Sequence, residues 1–480
     1  MRSYARILMM VSVLFSLIVP AEASAATPYN GYTWNSLGHD VRSINGYVYV
    51  DSIDGMDMGS GPFKNPESLF VGADDSLYLV DTGNNRIVHM DRNHRLIKVI
   101  GTEDKGKLNG PKGVFVKEDG TVYVADTKNH RVAIFGGDGK FVKDFPTPTS
   151  DLLGKDFSYS PSKLIVDKRD YMFVVSDGNT QGLMQIDPRG DFKGFYGANH
   201  IGFSWKRLFT KLVASKEQKA QLSTVKPAEF SSIDQDQEGF IYSTTLGTDT
   251  NQVKRLSPVG VDTLNVGIER KYGDIFDSGP FKVPSFISIS VSKEGFITTL
   301  DLQTSKVFQY DKLGNLLFAF GGLGEQDGLF VTPSSVDQTS DGNMYVVDKG
   351  RNRIDRFRTT PFAELVHQAS SLYVDGQYEE SEQLWKKVLQ FDANFDMAYL
   401  AIGKSLYKSE RYKEAMENFQ LARDKVDYSA AFREYRKEYI RENFAQIFIS
   451  IIVFIALIRI FLLRIKRKRT YFFVKGGDPS

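Results

Sequence analysis

The sequence predicts a mainly β protein: six repeated sheet modules closed into a β-propeller, then an α-helical segment and one transmembrane helix. Three observations predict it. A unit of about 45 residues recurs six times, the hydrophobic period turns helical after residue 361, and an apolar run occupies residues 444–463. The 480 residues include no cysteine and balance 60 Lys and Arg against 59 Asp and Glu, with 41% hydrophobic side chains. That composition excludes collagen-like, disulfide-stapled and wholly disordered classes, and the missing thiols exclude zinc-finger and cysteine-nucleophile chemistry. Acidic residues outnumber basic ones between residues 26 and 443, so no nucleic-acid partner is expected.

Residues 1–25 read as a signal peptide: Arg2 and Arg6, an apolar run over residues 7–19 too short to span a bilayer, and the small residues Ala23, Ser24 and Ala25 before the expected cut.

Residues 26–361 hold the repeat. One unit runs from Pro66 through Tyr78 to Asp81, Thr82 and Arg86; the next from Pro111 through Tyr123 to Asp126, Thr127 and Arg131; the last from Pro333 through Tyr345 to Asp348 and Arg353. Weaker copies anchor on Asp177, Gly247 and Asp301. Short runs rich in Val, Ile, Tyr and Phe alternate with Asp-Gly and Asn-Gly turns, the pattern of hairpin-linked strands, and this unit length suits one propeller blade. The sixth unit stops early, so the segment Gly46 to Val50 is expected to supply its missing outer strand and remove the exposed edge.

These residues resemble the NHL-repeat family, whose members form six-bladed propellers. The resemblance implies that Asp81 with Arg86, Asp126 with Arg131 and Asp348 with Arg353 are structural turn pairs.

An insertion at about residues 198–225 sets Phe203, Trp205, Leu208, Phe209, Leu212 and Val213 among Lys206, Arg207, Lys211, Lys216 and Lys219 at helical spacing. It reads as a basic amphipathic helix that packs on its own ring, touches the membrane or lids the propeller mouth. Residues 362–443 carry a second repeat, with Gly376, Tyr378, Ser381 and Trp385 returning as Arg411, Tyr412, Ala415 and Phe419. This resembles two tetratricopeptide repeats followed by a capping helix, implying a peptide-binding face or a stiff spacer. Residues 444–463 match the hydrocarbon thickness at about 1.5 Å per residue, and Arg464, Lys466, Arg467, Lys468 and Arg469 follow. The positive-inside bias makes 464–480 a cytoplasmic tail and the chain a single-pass type I protein of the cell membrane, its bulk extracytoplasmic.

No catalytic signature is present, and neither a cofactor nor a metal is expected. Six scattered histidines lack ligand spacing, with His89 and His130 expected to be exposed. Asp234, Asp236 and Glu238 read as a hairpin turn, since the twelfth position of a calcium loop here is Thr245. Asp51, Asp54 and Asp57 follow no recognised ligand spacing.

The position two residues after each inner-strand proline holds Ser68, Gly113, Lys163, Glu229, Phe286 and Ser335. Lys163, Glu229 and Phe286 break its small-residue pattern and are the candidate ligand-binding residues; Lys163 and Glu229 read equally as an ion pair plugging the channel. The expected function is non-enzymatic recognition or scaffolding of envelope proteins or glycans, linked by resemblance to transport machinery. The alternative is a metal-dependent propeller enzyme of the lactonase or lyase kind, for which Glu67 and Glu229 are the acidic candidates on inner strands.

Overall fold

The computed structural model describes residues 27–34, 39–154, 157–197, 228–274 and 283–474. The expected signal peptide, the 198–225 insertion and the last tail residues lie outside them.

Six antiparallel sheets form the propeller. Blade one comprises Ser68–Val71, Leu77–Asp81, Arg86–Met90 and Leu96–Ile100; blade two Gly113–Val116, Val122–Asp126, Arg131–Phe135 and Phe141–Phe145; blade three Pro161–Val166, Met172–Ser176, Leu183–Ile186 and Phe192–Tyr196. Blade four has three strands, Phe230–Gln235, Ile241–Thr245 and Val253–Leu256. Blade five comprises Phe286–Val291, Ile297–Asp301, Lys306–Tyr310 and Leu316–Gly321. Blade six takes Pro333–Gln338, Met344–Asp348 and Arg353–Thr359 from late in the chain and Tyr47–Ile53 from its beginning.

Second strands such as Leu77–Asp81 and Met344–Asp348 are buried at every position, because each blade is covered on both faces by its neighbours. Apolar clusters therefore bridge consecutive blades: Tyr345, Val347 and Ile354 of blade six pack with Leu69, Leu77 and Val88 of blade one, and Phe115 of blade two with Leu164 and Val174 of blade three. Closure is antiparallel, pairing Ile354 with Ile53 and Thr359 with Tyr47, and Arg356 clamps Asp51 at 2.6 Å. Tyr47 is buried against Phe318 and Phe320.

Among the described residues blade four has no outer strand, and the following turn caps its edge. Thr263 N–H donates to the Arg255 carbonyl (2.7 Å), Asn265 Nδ2 to the Val253 carbonyl (2.8 Å), and Asp262 Oδ1 accepts the Arg255 N–H (3.3 Å). Backbone groups that a fourth strand would satisfy are thus paired, which blunts an edge open to aggregation.

In blades one, two, five and six a turn aspartate ties the second strand to the blade's own approach segment. Asp81 is fully buried and accepts Lys64 N–H (2.7 Å), Asn84 Nδ2 (2.8 Å) and Arg86 Nε (2.7 Å), while Arg86 also donates to the Ser60 carbonyl (2.6 Å). Asp126 repeats this with Asn109 N–H, Asn129 Nδ2 and Arg131 Nε. Blade six departs from the expected pair: Asp348 binds Arg351 at 2.7 Å, and Arg353 reaches Asp327 at 2.8 Å. Asp348 and Arg353 stand at the matching ladder positions, but Arg351 comes forward from the turn and takes the carboxylate first.

Six helices follow: α1 Pro361–Val374, α2 Tyr378–Phe391, α3 Asp396–Lys408, α4 Tyr412–Leu421, α5 Lys425–Glu442 and α6 Phe444–Val474. Consecutive helices from α2 to α5 pack in pairs around Trp385, Val388, Phe395, Ile402, Leu406 and Phe419. Gly403 lets α3 and α4 approach, since a Cβ there would stand 2.6 Å from the Phe419 ring. Within α6, Phe444–Lys466 is long and apolar enough to cross a membrane, with a mean hydropathy of 2.7 and none of its apolar surface buried.

Candidate functional site

Ladder register, rather than distance from a proline, defines the channel wall. Ser68, Gly113, Lys163, Ser232, Ser288 and Ser335 pair respectively with Val80, Ala125, Val175, Thr244, Leu300 and Val347, the residue just before each turn anchor. They form one ring at the throat. The anchors of blades three and four are therefore Ser176 and Thr245, not Asp177 and Gly247.

Lys163 stands in this ring, but Glu229 and Phe286 do not. In blades four and five the residues paired like Pro161 and Pro333 are Phe230 and Phe286 themselves, so counting two residues on from Pro227 and Pro284 falls short of the throat positions. Phe286 is wholly buried between blades, edge-on to Phe308. Glu229 sits on the rim, its carbonyl accepting Leu246 N–H at 2.9 Å. Among the described residues no ion pair joins it to Lys163; Lys163 Nζ instead donates to Ser68 Oγ at 2.8 Å.

That bond crosses blade two, because Gly113 has no side chain to fill the gap. A Cβ on Gly113 would stand 2.4 Å from the Ser162 carbonyl oxygen, so the close approach of blades two and three requires glycine. Burial, only partly offset by the charges of Glu67 and Asp177, pulls the Lys163 ammonium down to about 8.

One layer deeper lie Phe70, Phe115 and Ile165 on one side and Asp234 and Asp337 on the other. Both carboxylates serve as blade-to-blade links. Asp234 Oδ2 accepts Val291 N–H (2.7 Å) and Oδ1 accepts Gln235 N–H (2.8 Å). Asp337 Oδ2 accepts Val71 N–H (2.7 Å), while Oδ1 accepts Ser290 Oγ (2.7 Å) and Gln338 N–H (2.9 Å). Burial first, then the neighbouring Asp337 charge, pushes Asp234 up to about 8, and burial pushes Asp337 up to about 6.

A divalent metal of the kind a lactonase-like propeller needs does not fit this donor set. Every carboxylate oxygen in the throat already accepts a hydrogen bond, and no three His, Cys, Asp or Glu among the described residues are grouped to hold a metal. Asp51 is engaged by Arg356, Asp54 by the N–H groups of Met56 and Asp57, and Asp236 by its own turn at Phe240.

At the mouth, blades six, one and two enclose a cleft of about 400 Å³ lined by Asn65, Glu67, Asn85, Asn109, Lys128 and Lys349, among others. Lys349 binds Glu67 at 3.2 Å, and nearby Lys112 binds Asp177 at 2.7 Å.

His130 is exposed as expected, whereas His89 is not. His130 takes a left-handed turn conformation and donates Nδ1–H to the Tyr159 carbonyl at 2.6 Å. His89 is buried, stacked on Tyr78 with ring centroids 3.9 Å apart, and neither nitrogen has a partner. Burial, then Lys98, pulls His89 down to about 4. An unfolded histidine near 6.5 binds the proton that the folded one refuses, so this group favours folding above pH 6.5 and opposes it as pH falls. The stability advantage of His89→Phe over the wild type is expected to grow by about 2 kcal/mol between pH 7 and pH 5. Urea melts at the two pH values check this, and a difference that stays constant contradicts it.

The NHL repeat family matches residues 108–135, so the chain carries an NHL repeat in blade two. No curated protein matches the chain. Among solved structures, a streptogramin B lyase is 11% identical over 68% of this chain and 86% of its own, with a TM-score of 0.40. Virginiamycin B lyase from Staphylococcus aureus with quinupristin is 11% identical over 70% and 97%, TM-score 0.40. A gluconolactonase from Xanthomonas campestris is 10% identical over 66% and 96%, TM-score 0.39. The strand pairing establishes six blades, and the family match identifies the NHL repeat in the second of them.

Proposed function

We propose that this chain is a membrane-anchored, non-enzymatic recognition propeller that binds proteins or glycans of the cell envelope at its channel mouth. The cleft of blades six, one and two carries this reading: amides and two lysines line about 400 Å³ of open, polar surface, while the throat carboxylates are committed to holding blades together. Such a lining suits hydrogen-bonded recognition of a polar partner. Catalysis by a channel metal lacks ligands to support it.

The helix Phe444–Lys466 serves as the anchor, and the basic cluster from Arg464 to Arg469 places the tail in the cytoplasm, with the propeller outside. The helices before it act as tetratricopeptide-like repeats. Tyr373 with Tyr378 and Tyr407 with Tyr412 make matching ring contacts, 5.5 and 5.4 Å between centroids, at the period that the sequence shows. This segment is a second docking element or spacer linked to transport machinery.

Full-length protein in detergent is expected to retain envelope proteins or cell-wall glycan fragments, and Lys128→Glu with Lys349→Glu to weaken retention about tenfold with folding unchanged. Retention that ignores both substitutions, or a stoichiometric divalent ion in the purified protein, overturns the reading.

A further inference from the structure

The throat is rich in hydrogen-bond donors and carries one cation without an ion pair. Glu67 and Asp177, the acids nearest Lys163, are each held by another lysine, at 3.2 Å from Lys349 and 2.7 Å from Lys112. Lys163 has only the Ser68 hydroxyl, and its remaining ammonium hydrogens have no acceptor among the described residues. A recessed ammonium with no carboxylate partner is costly, so the site favours an anionic occupant.

The serines reinforce this. Ser335 Oγ accepts Leu69 N–H (3.1 Å) and Ser232 Oγ accepts Ile289 N–H (3.3 Å), so each hydroxyl has its own hydrogen left to donate. Both side chains are more than nine-tenths buried, line the same cavity as Lys163, and find no acceptor among the described residues. Ser68 likewise accepts from Lys163 and retains its hydrogen. The cavity holds about 40 Å³, room for a carboxylate head and little more.

The rim adds a second requirement. Asp177, Leu246, Leu302 and Lys349 occupy equivalent positions, each donating its N–H to the residue before an inner strand: Ser160, Glu229, Ser285 and Thr332, at 2.9 to 3.1 Å. Blades three and six thus present charge, whereas blades four and five present two leucines, Leu302 40% exposed. An apolar arc therefore adjoins the donor-lined throat.

We infer that the throat is a carboxylate site, in which Lys163, Ser68, Ser232 and Ser335 bind the terminal carboxylate of a peptide whose last side chain is aliphatic and rests on Leu246 and Leu302. The inference rests on the reading of the mouth as a recognition surface and names its ligand class.

The probe is N-acetyl-Ala-Leu, titrated calorimetrically into full-length protein in detergent beside its carboxamide and N-acetyl-Ala-Ser. The free acid is expected to bind about tenfold more tightly than the carboxamide, the worth of one charge-assisted contact. Lys163→Met removes that difference, Lys163→Arg restores part of it, and Leu302→Ser abolishes the preference for leucine over serine. Binding of the free acid weakens as pH rises through about 8, where Lys163 loses its proton and Asp234, deeper in the same cavity, loses its own; the part of this pH dependence that disappears in Lys163→Met is the part assigned to Lys163. Glu67, Asp177, Lys112 and Lys349 and the cavity carboxylates Asp234 and Asp337 are the charged groups around it. Equal affinity for acid and amide, a flat pH profile across that range, or no binding at millimolar concentration overturns the assignment. Loss of envelope retention in Lys128→Glu alone, which leaves the Lys349–Glu67 pair beside Lys163 in place, is read separately from these titrations, so the two readings fail separately.

Discussion

A chain lacking residues 26–55 is expected to lose its cooperative thermal transition and to elute as aggregate in size-exclusion chromatography. The deletion removes the strand Tyr47–Ile53, which pairs with Arg353–Thr359 and closes blade six. It also removes the Tyr47 ring from Phe318 and Phe320, the Gln309 bond to the Tyr47 hydroxyl (2.8 Å), and the Asp51 clamp on Arg356. Burial of Tyr47 and Ile53 alone contributes about 3–6 kcal/mol, a large part of the net stability of a domain. The bare Arg353–Thr359 edge then offers its backbone groups to any other strand. A monomeric truncated protein with an unchanged melting temperature contradicts this account of closure.

Asp126→Ala is the point substitution expected to cost most, about 3–5 kcal/mol by chemical denaturation at neutral pH. The side chain is fully buried, and its loss takes the acceptor from the Asn109 N–H, the Asn129 amide and Arg131 Nε together, leaving the guanidinium its bonds to Asp144 (2.8 Å) and the Lys107 carbonyl (2.9 Å). Blade five provides the control. Asp301 binds the N–H groups of Ser285 and Thr304 and the Thr304 hydroxyl, with no cation to orphan, so Asp301→Ala is expected to cost about 1–3 kcal/mol. Equal losses at the two sites contradict the role assigned to Arg131.

The ring itself was legible because each blade is one local hairpin unit, and in blades one, two, five and six a turn aspartate that satisfies backbone donors close in sequence leaves the same mark. The closing strand was legible for a complementary reason: a sixth unit one strand short needs a partner, and Gly46 to Val50 was the unassigned β-rich run. The throat was less legible. In blades four and five the inner strand begins at Phe230 and Phe286, so the nearest upstream prolines no longer mark the register, and Ser232 and Ser288 were missed. Counting back thirteen residues from the anchor finds the throat residue in every blade, from Ser68 before Asp81 to Ser335 before Asp348, because the first hairpin keeps its length. Asp234 read as part of a hairpin turn because its neighbours Asp236 and Glu238 form an ordinary one, whereas Asp234 itself lies on the strand before it. Arg351 and His89 illustrate a further limit: which of two nearby arginines reaches a carboxylate, and whether an imidazole stacks inward, depend on side-chain direction, which spacing does not encode.

Joining Tyr47–Ile53 to Arg353–Thr359 makes the first propeller strand in the chain wait for the last. As the polypeptide emerges from the ribosome or an export channel, five blades can assemble in succession while both ends of the array stay unsealed. The final seam forms only after the whole circumference has been delivered. Throughout that interval the nascent chain is most exposed to wrong partners, so a holdase that covers the leading strand fits the biogenesis of this topology better than a prolyl isomerase or a disulfide catalyst.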